Sequence, residues 1–136
     1  MNPPNLSRAY VSNTVNSATP GQLIVMLYDG LIRFATDARD AMKEGQTGAE
    51  PITRSIRILT ELNICLRREV APEFCDRLSK LYEYYTMEIS RAMHRRNPQI
   101  IDDIIPLIKD LRDAWEAADN GQGPAKAAKL PKPPGL

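Results

Sequence analysis

The sequence predicts an all-α protein: an antiparallel four-helix bundle with a mobile N-terminal arm and a disordered C-terminal tail. Three observations carry this. Four stretches repeat apolar residues at helical spacing. Proline marks the helix starts, as Thr19-Pro20, Pro72 and Asn97-Pro98. The breaks between stretches are short, which lays consecutive helices side by side. With 136 residues the chain supports a single core, dividing into an arm over residues 1–18, a bundle over 19–118 and a tail over 119–136.

The arm is rich in Asn, Ser and Pro, and only Leu6, Tyr10, Val11 and Val15 offer apolar burial, too little to offset the entropy of ordering. Helix one is expected from Pro20 to Lys43. Thr19 serves as N-cap, Pro20 sits where a missing N–H costs nothing, and Gln22 can reach back to complete a capping box. Leu23, Ile24, Leu27, Leu31, Phe34, Ala38 and Ala41 share one face, and Gly30 on that face permits close approach of a neighbour. Val25, Met26, Tyr28 and Ile32 fall outside the stripe. Gly45-Gln46-Thr47-Gly48 ends the helix.

Helix two is expected from Pro51 to Val70, with Ile52, Ile56, Leu59, Leu62, Leu66 and Val70 inward. Glu50 with Arg54 and Arg57 with Glu61 are spaced for exposed ion pairs, while Ile58, Ile64 and Cys65 lie off the stripe. Helix three opens at Pro72 and turns Phe74, Leu78, Leu81, Tyr82, Tyr85, Ile89 and Ala92 inward, with Tyr84 and Met87 on its shoulder. Helix four starts at Asn97-Pro98 and aligns Ile100, Ile104, Leu107, Ile108, Leu111, Trp115 and Ala118. Pro106 lacks the N–H that would bond the Asp102 carbonyl, so a kink or a broken first turn is expected, on the side away from the core. The tail combines Gly, Pro and Lys with almost nothing to pack.

Composition excludes several functions. Eighteen basic and 17 acidic residues leave a net charge of +1, so no global field draws nucleic acid or an anionic membrane. No window approaches the roughly 18 uninterrupted apolar residues of a membrane span, and the first residues lack the order of a signal peptide, so a cytoplasmic location is expected. Cys65 and Cys75 fit no metal-ligand pattern and are expected as reduced, mostly buried thiols. The single histidine, His94, has no cysteine or serine beside it to activate. With Arg95 and Arg96 it suits the negative end of helix three. Asp102, Asp103, Asp110 and Asp113 read as a solvated face, not a metal site. No enzyme activity and no cofactor are expected.

The informative signal is surplus apolar surface. The first half of helix one carries more apolar residues than one bundle face requires, and helix two adds Ile58, Ile64 and Cys65. Either helix one is central and contacted on several sides, or grooves lie open to amphipathic helices of a partner.

The run from Ala18 to Gly30, with Thr19-Pro20 followed by Leu23-Ile24-Val25-Met26-Leu27-Tyr28-Asp29-Gly30, resembles the signature of the FliS family of flagellar secretion chaperones. Tyr10 with Val15 and Asn16 is similar to the family's N-terminal tyrosine segment, Leu81-Tyr82-Glu83-Tyr84 resembles its third-helix motif, and Leu111-Arg112-Asp113-Ala114-Trp115 its closing motif. The resemblance spans Tyr10 to Ala118. It implies a chaperone that wraps the disordered C-terminal segment of flagellin, prevents premature polymerisation and delivers it to the flagellar type III export apparatus; contact with the export gate stays open. Tyr10, Val15, Met26, Tyr28, Ile58, Ile64, Cys65, Tyr84 and Met87 are the expected flagellin contacts. Two rivals remain at this stage: a bundle whose surplus surface closes a homodimer, and an RNA-binding regulator using Arg91, Arg95 and Arg96, which the balanced charge disfavours.

Overall fold

A computed structural model describes residues 18–119 and contains four helices: α1 (Pro20–Lys43), α2 (Ala49–Ile64), α3 (Pro72–Arg95) and α4 (Pro98–Ala117). Apart from Ala18 and Asp119, the expected arm and tail, and with them Tyr10 and Val15, lie outside the described residues. Each of α1 and α3 packs against both α2 and α4, so the helices ring the core in chain order. Helix one is contacted on several sides without being enclosed, since it packs on α2 and α4 and its Tyr28 reaches Tyr82 of α3 across the core. Two ion pairs fix the antiparallel sense of α1 and α4: Asp29 meets Arg112 at 2.8 Å, and Arg39, ten residues further along α1, meets Asp102, ten residues back along α4, also at 2.8 Å.

Local chemistry explains the starts. The Gln22 N–H donates to the Thr19 hydroxyl at 3.1 Å and the Thr19 N–H donates to the Gln22 side chain at 2.8 Å, completing the capping box. Asn97 accepts from the Gln99 N–H at 3.1 Å. Gly48 takes φ +70° as α2 begins, and a Cβ there would stand 3.0 Å from the Ala38 carbonyl, so a side chain is excluded twice over.

The core is built from Tyr28, Leu31, Ala35 and Ala38 of α1, Ile52, Leu59 and Leu62 of α2, Leu78 through Ala92 of α3, and Ile100 through Leu111 of α4. The inward stripes of α3 and α4 follow the expected spacing, with Cys75, Ile101 and Ile105 added. Pro106 is exposed and α4 runs through it unbroken. The expected broken turn is absent, and the exposed ring lies on the outer side of the helix as expected.

Two expectations are corrected. The buried face of α1 is rotated toward Val25, Tyr28 and Ala35, while Leu23 is 36% exposed. Small Ala35 and Ala38 occupy the tight centre, and the Tyr28 hydroxyl finds partners inside. Helix α2 stops at Ile64, six residues early, and residues 65–71 form the connection. The Arg68 guanidinium donates to the Asn63 side chain at 2.9 Å and holds the chain as it leaves the helix. Leu66 is half-buried, and Val70 is 71% exposed.

Candidate functional site

The early end of α2 leaves the first turns of α1 without a helix opposite them. An open apolar groove of about 460 Å³ results at that end of the bundle. Pro20, Gly21, Leu23, Ile24 and Leu27 form one wall, and Leu62, Cys65, Leu66, Arg67, Val70 and Ala71 the other. Phe74 and Cys75 at the start of α3, Tyr82 below them and Trp115 from α4 close it. Because α2 has already ended, the apolar stripes that bury themselves in the middle of the bundle stay partly open here.

A small polar network holds the floor. The Trp115 indole N–H donates to the Tyr28 hydroxyl at 3.1 Å, and the hydroxyls of Tyr28 and Tyr82 lie 2.6 Å apart. Phe74 and Trp115 meet with ring centroids 6.3 Å apart, tilted by 58°, in the edge-on manner aromatic pairs prefer. Burial, reinforced by the neighbouring Tyr82, pushes the Tyr28 phenol well above its usual titration range. Burial raises Tyr82 as well. Both stay neutral and able to donate. At the edge of the groove the Asp119 carboxylate rests against Gly21 and reaches the Thr19 hydroxyl at 3.5 Å, tying the end of α4 to the start of α1.

The expected contact residues are dispersed. Cys65 is exposed and lines the groove. Tyr28 is completely buried, which corrects its placement off the core: it supports Trp115 from beneath. Ile58 is half-buried in the α1–α2 contact, where a Cβ on Gly30 would come within 3.1 Å of its Cδ1. It is therefore not a groove wall. Ile64 is 67% exposed beside the groove. Met87, 69% exposed, borders a second, shallower hollow of about 430 Å³ between α2 and α3, with Leu59, Thr60 and Asn63. Met26 and Tyr84 are half-buried and line neither hollow.

Leu23, Ile24, Leu27, Leu66, Phe74 and Trp115 were missed as site residues because spacing assigned them to the core. Their position near helix ends was the available signal: the first turns of α1 and α3, the last turn of α4, and just past the end of α2.

The described residues hold no group of three or more His, Cys, Asp or Glu placed to bind a metal ion, and no described helix is long and apolar enough to cross a membrane. His94 is exposed in the last turn of α3. The chemistry the groove offers is apolar binding.

The family model described as "Flagellar protein FliS" matches residues 3–122. The flagellar secretion chaperone FliS of Vibrio cholerae is 28% identical over 108 residues, which cover 78% of this chain and 79% of the relative. That of Bacillus subtilis is 30% identical over 112 residues, covering 81% and 83%. That of Campylobacter jejuni is 30% identical over 116 residues, covering 84% and 91%. These relatives are chaperones, a family that works without catalysis. Because the family match runs through all four helices, the chain belongs to the FliS family of flagellar secretion chaperones.

Proposed function

We propose that this chaperone binds the C-terminal segment of flagellin in the cytoplasm, keeps it from polymerising prematurely and helps deliver it to the flagellar type III secretion apparatus. The observation that carries the reading is the open apolar groove between α1 and the 65–71 connection. An unfilled apolar cleft of this size suits one face of an amphipathic helix, the helix-in-groove mode. A flagellin segment that folds as it binds buries the surface it would otherwise use for self-association, and no nucleotide or metal is needed.

Leu23, Ile24, Leu27, Leu66, Phe74 and Cys65 are the proposed groove contacts. Ile64 and Met87 extend the apolar surface beyond it, and Tyr10 and Val15 contribute from the N-terminal segment, as the family resemblance implies. Calorimetric titration with a peptide of the host flagellin's C-terminal segment tests the reading. Saturable binding with a negative heat-capacity change is expected; no binding, or binding that Leu27→Ser leaves unchanged, overturns it.

A further inference from the structure

Of the residues lining the groove, Arg67 alone carries a formal charge. Its backbone is fixed, since its carbonyl accepts from the Val70 N–H at 3.1 Å and the Ala71 N–H at 3.2 Å. The neighbouring Arg68 is committed to Asn63 and Ser79. Among the described residues no carboxylate pairs with the exposed Arg67 guanidinium; other arginines are unpaired too, but Arg67 is the one that lines the groove. A guanidinium with no carboxylate partner among the described residues thus stands in one wall of an otherwise apolar cleft, while the Asp119 carboxylate at the edge is turned to Gly21 and Thr19.

An apolar groove is poor at direction. Burial is non-directional, so an amphipathic helix gains similar contacts entering either way round, or displaced by one turn. A charge in one wall breaks that degeneracy, because only one direction and register bring an opposite charge to it. The planar guanidinium favours a carboxylate, which it can grip with two N–H groups.

We infer that Arg67 engages an acidic side chain bordering the apolar face of the docked flagellin helix, and thereby sets the direction and register in which that helix lies. The inference rests on the flagellin reading above.

The test uses the full chain and a synthetic peptide of the host flagellin's C-terminal segment. Arg67→Glu is expected to weaken binding about tenfold and to reduce its salt dependence, as loss and reversal of a rim charge does. Replacing one particular Glu or Asp of the peptide by Lys restores affinity to the variant. Arg57→Glu, an exposed charge change outside the groove, leaves affinity unchanged. Unaltered thermal melting of Arg67→Glu confirms that the variant folds. If the wild-type chain binds no peptide, the flagellin reading itself fails. If the wild type binds and Arg67→Glu stays within about twofold of it, the Arg67 assignment alone is overturned. It is equally overturned if no acidic substitution restores binding, or if amidating the peptide terminus reproduces the loss, which identifies the terminal carboxylate as the partner.

Discussion

The hydroxyls of Tyr28 and Tyr82 meet at 2.6 Å beneath the groove, joining α1 to α3 across the bundle. Trp115 adds α4 through its indole N–H. Tyr28→Phe removes a partner from both, and is expected to cost about 1–2 kcal/mol in chemical denaturation. The same burial has a pH consequence. Folding raises both phenols, so it favours the neutral form. That contribution is fully present below about pH 10, where unfolded tyrosine titrates, and is lost as pH rises beyond it. Melting temperatures followed across this range should fall on the alkaline side, less steeply in Tyr28→Phe.

Ile58 and Ile64, equivalent by spacing, separate in the fold. Ile58→Asp places a charge in the α1–α2 contact beside Gly30 and is expected to destabilise by about 2–4 kcal/mol. Ile64→Asp and Met87→Asp, both on largely exposed side chains, should stay within about 0.5 kcal/mol of the parent. Urea midpoints decide, and equal losses for all three would contradict the burial pattern.

Asp102 anchors α4 to two cations of α1. Partial burial raises its carboxyl, but the hydrogen bond from Arg39 and the charges of Lys43 and Arg39 outweigh this and hold it below the usual range. A lowered carboxylate contributes stability above about pH 3.9, its unfolded value, and that contribution is lost as pH falls through the folded value. Asp102→Asn should therefore flatten the acid limb of a stability–pH curve while lowering stability at neutral pH.

The two thiols differ in access. Cys65 is exposed at the groove and Cys75 is buried. An alkylating reagent should label one thiol rapidly in the folded protein and both in denaturant. Adding the flagellin peptide should slow the rapid reaction, because the reactive thiol lies in the proposed contact wall. Equal labelling rates with and without peptide would separate Cys65 from the docking site.

The helix starts were legible because they rest on local chemistry: Thr19, Pro20 and Gln22 specify the first turn of α1 without help from the rest of the chain. The regular stripe of α3, from Leu78 to Ala92, was legible because its outward positions are mostly polar or charged, Met87 excepted. The face of α1 was not, since apolar residues on nearly every side make its periodicity degenerate, and only packing against Tyr82 and Trp115 selects Tyr28 for the interior. The end of α2 was also hidden. Leu66 and Val70 continue its apolar spacing, yet the chain leaves the helix at Cys65. That missed ending removed the groove from view, for a cleft made by what is absent opposite α1 has no spacing of its own.

The ties that complete the groove also govern when it can exist. Thr19 and Asp119 are 100 residues apart, Tyr28 and Trp115 87, and Asp29 and Arg112 83. Contacts of such long sequence separation close late, after the loop entropy of the intervening chain has been overcome. On the ribosome, where synthesis proceeds from the N-terminus, α1 through α3 emerge before the wall and floor contacts supplied by α4. A nascent chain that has not yet released Trp115 carries the apolar residues of the groove without its architecture. During that interval the chaperone itself resembles an unprotected client.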